Sequence, residues 1–282
     1  MSGRLFVVAT PIGNLWDVTL RALEVLRTVP LIAAEDTRLT HRLLARHGIA
    51  TRTISYHARS GPGRLADLVA HLRGGADLAL VTDAGTPSVS DPGEDLVAAW
   101  AADGGTVVPI PGASAVTAIV AASGVAGPRW AFEGFLPRSG RDRRERLARI
   151  AGDDRGTVIY EAPGRVAATL ADLAAACGPD RPAAIGRELT KLHEEIVRGT
   201  LGELAERARS GELTLRGEFA VVVGALPARL AAAESRDVDP AAAIAEVERL
   251  VAAGTPRGDA ARQVAAATGI PRRRLYAAPT DR

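Results

Sequence analysis

A single cysteine, Cys177, stands in 282 residues, which excludes an internal disulfide framework and leaves no cysteine cluster for zinc. The five histidines (His41, His47, His57, His71 and His193) show no metal-ligand spacing, so no metal is expected. No apolar run reaches the roughly 18 uncharged residues that span a bilayer. Met1-Ser2-Gly3-Arg4 leads straight into strand-like sequence instead of a secretion signal. The sequence therefore predicts a cytoplasmic protein with no membrane partner. Neither sign of charge dominates: 35 Lys and Arg face 33 Asp and Glu, a net of +2, which neither demands nor forbids a nucleic-acid partner. Lysine itself is almost missing. Of the 35 basic residues 34 are Arg, and Lys191 stands alone. Arginine stays charged in proteins, whereas lysine loses its proton when its surroundings lower its pKa. Lys191 is therefore either a chance survivor of compositional drift or a residue kept for its chemistry.

What the sequence has in quantity is apolar material, 47% of the chain, enough to offset chain entropy and fill two cores of ordinary size. Over the first 125 residues, strand-like runs (Arg4–Ala9, Leu31–Glu35, Thr53–Tyr56, Leu78–Val81, Thr106–Ile110) alternate with helix-like runs near Thr19–Thr28, Thr37–His47, Gly63–Arg73, Glu94–Ala102 and Ala113–Ser123. Continuous apolar strands in βα alternation predict a mostly parallel sheet covered on both faces. A second α/β pattern begins near Trp130, with strand-like runs at Trp130–Phe135, Thr157–Glu161, Ala183–Glu188, Glu195–Arg198 and Glu218–Gly224. Pro137-Arg138-Ser139-Gly140-Arg141 reads as an exposed linker between the two patterns. From about Ala232 three helices follow (Ala241–Ala253, Asp259–Thr268, Arg272–Ala277), and Arg272, Arg273 and Arg274 open the last. Two short helices about a turn resemble a helix-turn-helix, although a small capping bundle with a solvated basic end is the simpler reading. The expected division is 1–127 and 128–228 as two α/β domains, with 229–282 as linker and helical tail.

Ligands of parallel α/β sheets bind at the carboxyl ends of the strands. Each strand of the first pattern ends in a polar or glycine-rich segment: Thr10-Pro11-Ile12-Gly13-Asn14, Glu35-Asp36-Thr37-Arg38, Tyr56-His57-Ala58-Arg59, Asp83-Ala84-Gly85-Thr86-Pro87-Ser88 and Pro111-Gly112-Ala113-Ser114. One such segment marks an ordinary turn, but five share one rim. No P-loop, no glycine-rich dinucleotide fingerprint after the first strand and no G-x-S-x-G elbow is present, which argues against those three chemistries. Enzymes that hold an adenosyl or similar ligand mainly through backbone groups remain.

The segments Ala9–Leu15, Ala33–Arg38 and Thr82–Pro87 resemble those of the tetrapyrrole-methylase-like (class III) methyltransferases. Ile110-Pro111-Gly112, Phe132–Pro137, Arg187–Lys191 and Gly217-Glu218 resemble the branch that methylates small-subunit ribosomal RNA. The resemblance covers about residues 4–225, and the helical tail is similar too. It implies two α/β domains enclosing S-adenosylmethionine in a cleft, usually in a homodimer. It also implies methyl transfer to the ribose 2′-oxygen of a cytidine in the decoding region of 16S rRNA, with an assembled 30S particle as the expected substrate. By position, cofactor contacts fall to Pro11, Gly13 and Asn14; to Asp83, Ala84, Gly85, Thr86 and Pro87; to Pro111, Gly112 and Ser114; and to Tyr160, Glu161 and Ala220. A methyltransferase of the same fold acting on a tetrapyrrole or other small molecule is the alternative, and a non-catalytic RNA-binding protein a further one.

A protonated ribose hydroxyl is a poor nucleophile, so a nearby base is expected to help. Lys191, Glu188 and Asp36 are the candidates; Lys191 requires burial or a cationic neighbour such as Arg187 to lose its proton. Arg38, His57 and Arg59 on the rim, and Arg138, Arg141, Arg143 and Arg144 in the basic run that continues to Arg146 and Arg149, are the expected RNA contacts. A solvated helix face with local ion pairs is the plainer reading of that run.

Overall fold

The computed structural model describes residues 2–225, 240–268, 270 and 272–276. The chain divides into two compact units, 1–225 and 226–282. The first unit contains two five-stranded sheets.

In the first sheet β1 (Arg4–Val8), β2 (Leu31–Ala34), β3 (Thr53–Ser55), β4 (Leu78–Val81) and β5 (Thr106–Ile110) lie in the order β3-β2-β4-β1-β5. All pairings are parallel, as the continuous apolar runs require. Helices α1 (Leu20–Thr28), α2 (Thr37–Arg46), α3 (Pro62–Arg73) and α4 (Glu94–Ala102) make the crossovers. The two faces carry separate cores, one around Phe6, Val8, Leu26 and Leu44, the other around Leu5, Leu72, Leu80 and Trp100. Adjacent strands β1 and β4 send the chain in opposite directions, β1 toward β2 and β4 toward β5. A crevice opens beyond their carboxyl ends for that reason. Thr10 and Gly85 bridge the two strand ends there, with Thr10 N–H donating to Gly85 O at 2.8 Å and Gly85 N–H to Thr10 O at 3.0 Å.

Helix α5 (Ala115–Ser123) leaves the first sheet, and residues 124–129 lead into β6 (Trp130–Phe135) of the second. The strands β6, β7 (Gly156–Glu161), β8 (Pro182–Arg187), β9 (Glu195–Thr200) and β10 (Phe219–Val223) lie in the order β6-β7-β10-β8-β9. Only β6 and β7 are parallel; β7/β10, β10/β8 and β8/β9 are antiparallel. Central strand β10 is buried throughout. Its Val221 and Val223 face the core under α6 (Gly140–Gly152), α7 (Val166–Cys177) and α8 (Leu201–Ser210). Ala220 and Val222 face Val116 and Ile119 of α5. Alternate residues of one strand thus serve two cores.

The segment Pro137–Arg141 is not the link between sheets. It follows β6 and leads into α6, because proline, serine and glycine mark a turn without saying on which side of a strand it falls. The second unit holds α9 (Pro240–Ala252), α10 (Arg257–Thr268) and α11 (Arg272–Tyr276), packed on Val247, Ala261, Val264 and Leu275. Arg272, Arg273 and Arg274 are exposed. The expected boundary at 228/229, the expected change near Ala232 and the end of the last expected helix at Ala277 lie outside the described residues. No helix among the described residues is long and apolar enough to cross a membrane.

Candidate active site

A cavity of about 380 Å³ opens at the crevice between the carboxyl ends of β1 and β4 and the second sheet, a volume suited to a ligand of cofactor size. Its floor comes from the first sheet's loops: Ile12, Ala84, Gly85, Thr86, Ser114 and Ala115. Its opposite wall comes from the second sheet, with Phe135, Tyr160, Phe219, Ala220, Gly186 and Leu189. Phe132 and Phe135 pack against the Tyr160 ring at centroid distances of 4.9 and 5.6 Å, which fixes its orientation. Small residues let backbone approach a ligand here, and Gly85 takes the left-handed conformation (φ +82°) that its tight turn needs.

Of the cofactor contacts expected from sequence, Ala84, Gly85, Thr86, Ser114, Tyr160, Glu161 and Ala220 line this cavity. Pro11, Gly13, Asn14, Asp83, Pro87, Pro111 and Gly112 are not among its lining residues. Asn14 accepts from Trp16 N–H at 3.1 Å and closes its own turn, while Gly112 sits against Ala9. A Cβ on Gly13 would overlap Cγ of Lys191, so this glycine makes room for the lysine stem. Asp83 accepts from Asp36 N–H at 2.8 Å, and Asp83 N–H donates to Glu35 Oε2 at 3.3 Å, stitching the ends of β2 and β4 together. Burial pushes both the Asp83 and Glu35 carboxyls upward, and the neighbouring carboxylates add to this.

The three candidate bases are each held in ion pairs. Lys191 Nζ donates to Glu188 Oε1 and to Glu218 Oε2, both at 2.9 Å. Burial alone would lower the lysine, but these carboxylates outweigh it and raise its pKa, so it keeps its proton. Glu188 is held low by Lys191, and Glu218 N–H also donates to its Oε1 at 2.9 Å. Arg187 offers no help in discharging the lysine, since it pairs with Glu195 across the β8/β9 ladder at 3.1 Å. Asp36 caps α2 by accepting from Arg38 N–H at 2.8 Å and binds the Arg38 guanidinium at 2.6 Å. These hydrogen bonds hold it at about 2.

Among the expected RNA contacts, Arg38 is engaged by Asp36 yet remains largely exposed. His57 Nδ1 accepts from Arg59 N–H at 3.1 Å, and both residues are exposed on the rim. Arg138 and Arg144 are exposed, and Arg141 makes only a surface pair with Glu145 at 2.5 Å. Arg143 does not belong to this face. It is buried, donating to Asp172 Oδ2, Thr169 Oγ1 and Pro137 O at 2.9, 3.0 and 2.9 Å. Its place beside Leu147 and Ile150 on the inward stripe of α6 takes it out of solvent. Arg146 is likewise drawn to Glu133 at 2.7 Å.

The network behind the cavity runs further. Thr169 Oγ1 donates to Glu161 Oε2 at 2.7 Å, and Arg165 reaches Glu161 Oε1 at 3.2 Å and Leu136 O at 2.7 Å. Glu161 thus lines the cavity with both carboxylate oxygens already occupied.

The segment Val89-Ser90-Asp91, to which the sequence assigns no role, lines the cavity from the loop after β4. The signal for it is faint. Ser88 and Ser90 adopt positive φ (69° and 64°), as do Glu188 and Thr190 (49° and 67°) on the opposite side. No sequence pattern announces such strain in non-glycine residues, yet it concentrates at functional loops.

Residues 4–205 match the model of the Tetrapyrrole (Corrin/Porphyrin) Methylases. A protein of Synechocystis sp. named ribosomal RNA small subunit methyltransferase I is 46% identical over 275 residues, covering 97% of this chain and 96% of that relative. Its namesake from Xylella fastidiosa is 43% identical over 277 residues, 97% of this chain and 98% of that protein. Among solved structures, the cobalt precorrin-4 methyltransferase of cobalamin biosynthesis superposes with a TM-score of 0.61 at 16% identity, covering 78% of this chain and 94% of its own. Uroporphyrin-III C-methyl transferase from Thermus thermophilus, complexed with S-adenosyl homocysteine, gives 0.57 at 21% identity, covering 79% and 97%. The switch-point crevice, the paired sheets and a sequence match over most of both lead to one assignment: the chain belongs to the tetrapyrrole (corrin/porphyrin) methylase family.

Proposed function

We propose that this protein transfers a methyl group from S-adenosylmethionine to the ribose 2′-oxygen of a cytidine in small-subunit (16S) rRNA, acting in the cytoplasm as a homodimer on the assembled 30S particle. The observation that carries this reading is identity of 46% across nearly the full length of both chains with a protein named for small-subunit rRNA methylation. The cavity fits the donor: it is lined by small residues at Gly85, Thr86 and Ala220 and by the aromatic side chains of Phe135 and Tyr160. When bound, S-adenosylmethionine supplies an electrophilic methyl on a sulfonium. The chain's own part is to hold donor and hydroxyl in line, and orientation of two reactants supplies roughly 7–11 kcal/mol of such a barrier. A 2′-hydroxyl within folded RNA must be presented to the cleft, which favours a structured particle as substrate over free RNA.

Small subunits from cells lacking the gene, incubated with the purified protein and labelled S-adenosylmethionine, should take up label at one cytidine ribose, and naked rRNA less or none. Labelling of a uroporphyrinogen-type substrate in place of RNA would assign the chain to small-molecule methylation.

The exposed arginines Arg138, Arg141 and Arg144 neutralise RNA phosphates in this reading, together with Arg38, His57 and Arg59. Replacing the first three with alanine should flatten the salt dependence of subunit binding by about 2 to 3 in log–log slope, roughly 0.7 to 0.9 for each phosphate no longer neutralised. Arg143→Ala serves as the contrast, because its guanidinium is buried: it should lower the melting temperature and leave that slope unchanged. An unchanged slope in the triple variant would return the run to an ordinary solvated face.

A further inference from the structure

We infer that Asp91 is the proton acceptor of the transfer, the group that receives the substrate hydroxyl's proton in the cleft. This rests on the methyl-transfer reading above and adds to it a residue to which the sequence assigns no role.

Three carboxylates line the cavity: Asp91, Glu161 and Glu218. Two are committed, Glu161 to Thr169 and Arg165 and Glu218 to Lys191. Asp91 has no cation and no hydrogen-bond donor among the described residues. Its loop is built to keep it in place. Ser88 and Ser90 hold left-handed backbone on its N-terminal side, and Gly93 (φ +130°) turns the chain where a Cβ would meet Leu80 at 2.7 Å. Across the cleft the Ser90 hydroxyl lies against Gly134 of β6, where a Cβ would come within 3.1 Å. Strain of this kind persists only where the surroundings over-determine it.

The groups that face Asp91 are Glu35 at the end of β2, Asp83 at the end of β4 and Tyr160 on β7. Half-burial comes first and the two carboxylates second in raising Asp91 from 3.8 to about 7. Tyr160 is pushed to about 12, chiefly by burial, and keeps its proton. A base of this strength suits proton removal at neutral pH. The three bases expected from sequence do not: Lys191 is held protonated, and Glu188 and Asp36 are weakened as acceptors by their ion pairs.

The step balances without a further reactant. The hydroxyl oxygen forms the new bond to the methyl carbon while the carbon–sulfur bond of the donor breaks, its electron pair remaining on sulfur. The O–H proton passes to an Asp91 oxygen and leaves to water after product release.

The test compares unsubstituted protein, Asp91→Asn and Asp91→Glu on small subunits, in single turnover across the neutral pH range. Calorimetry measures S-adenosylhomocysteine binding on the same samples. Asp91→Asn should slow transfer by about 10²–10⁴-fold with affinity held within about threefold. The unsubstituted rate should climb with pH and level above about 7, an inflection the Asn variant lacks, and Asp91→Glu should recover part of the rate. A readout independent of turnover is the melting temperature. A carboxyl whose folded pKa is raised stabilises fully below its unfolded value and loses that contribution as pH rises through the folded one. Asp91→Asn should therefore gain on the unsubstituted protein between about pH 4 and pH 7. Full turnover in Asp91→Asn, an equal loss of cofactor affinity, or a melting-temperature gap that ignores pH would overturn the assignment. Absence of transfer by the unsubstituted protein would overturn the methyl-transfer reading with it, and the pH-dependent gap would still report whether Asp91 is the poised carboxyl.

Discussion

Glu161→Ala should lower the melting temperature by about 6–12 °C, from a loss of about 3 kcal/mol at roughly 2–4 °C per kcal/mol for a unit of this size. The Glu161 side chain has no solvent exposure, and its two oxygens take Thr169 Oγ1, the Ala162 N–H and Arg165. Alanine removes the acceptor and leaves the Arg165 guanidinium without its carboxylate. Breaking a buried pair from one side typically costs about 3–5 kcal/mol. The lower end applies, because Arg165 is 28% exposed and keeps its bond to Leu136 O. Glu161→Gln preserves shape and the Thr169 bond and should lose less than half as much. Since Arg143 reaches the same Thr169 hydroxyl, the losses in Arg143→Ala and Glu161→Ala should fall short of additivity when combined. Thermal unfolding followed by circular dichroism checks all three. An unchanged melting temperature in Glu161→Ala would mean that Thr169 and Arg165 find other partners at no cost.

That network shows where the sequence stops being readable. Arg143 stands among arginines, and composition assigns the whole run to solvent. The spacing of 143, 147 and 150 nevertheless places it on the inward stripe of α6 with Leu147 and Ile150, a period-3.6 pattern with one charged member. Its partners Thr169 and Asp172 are more than twenty residues away, so no local pattern identifies them. The first sheet was legible for the opposite reason. Unbroken apolar runs such as Leu78–Val81, buried at every position, fit only a strand covered on both faces. The mixed pairing of the second sheet was not, because β10 is equally apolar and a central strand reads alike whether its neighbours run parallel or antiparallel. The rim loops were legible as turns, and several line the cavity. Which side chains enter it depends on conformations such as the positive φ at Ser88 and Ser90, and serine there carries no sequence signature. Asp91 stays hidden on that account. Lys191 stands out by rarity, and rarity says nothing of whether it keeps its proton.

Lys191→Met should reduce kcat/KM for methyl transfer by about 10²-fold, the loss expected when a site's edge shifts by about an ångström. The ammonium joins Glu188 on the β8–β9 connection to Glu218 at the start of β10, and its stem lies over Gly13 of the first loop. Three segments of chain, from both sheets, meet at this one side chain, two at its ammonium and one at its stem. Methionine retains the stem's length and its apolar packing on Gly13 but leaves two carboxylates facing each other without a cation. Their repulsion should raise the Glu188 pKa and move Gly217 and Glu218, which line the cavity. Lys191→Arg separates the two roles open to this residue. A guanidinium carries the charge and can reach both carboxylates, although its planar fork seats less well than a point charge. Activity should therefore stay within about tenfold of the unsubstituted protein if the residue acts as a charged tie, since each 1.4 kcal/mol of misfit is about a factor of ten. If Lys191→Arg is as inactive as Lys191→Met while both bind S-adenosylhomocysteine normally, a neutral lysine is required in the reaction, and the base would be Lys191 instead of Asp91. The distances of 2.9 Å to two carboxylates favour the tie, because discharging that ammonium would leave both anions unpaired at the mouth of the cleft.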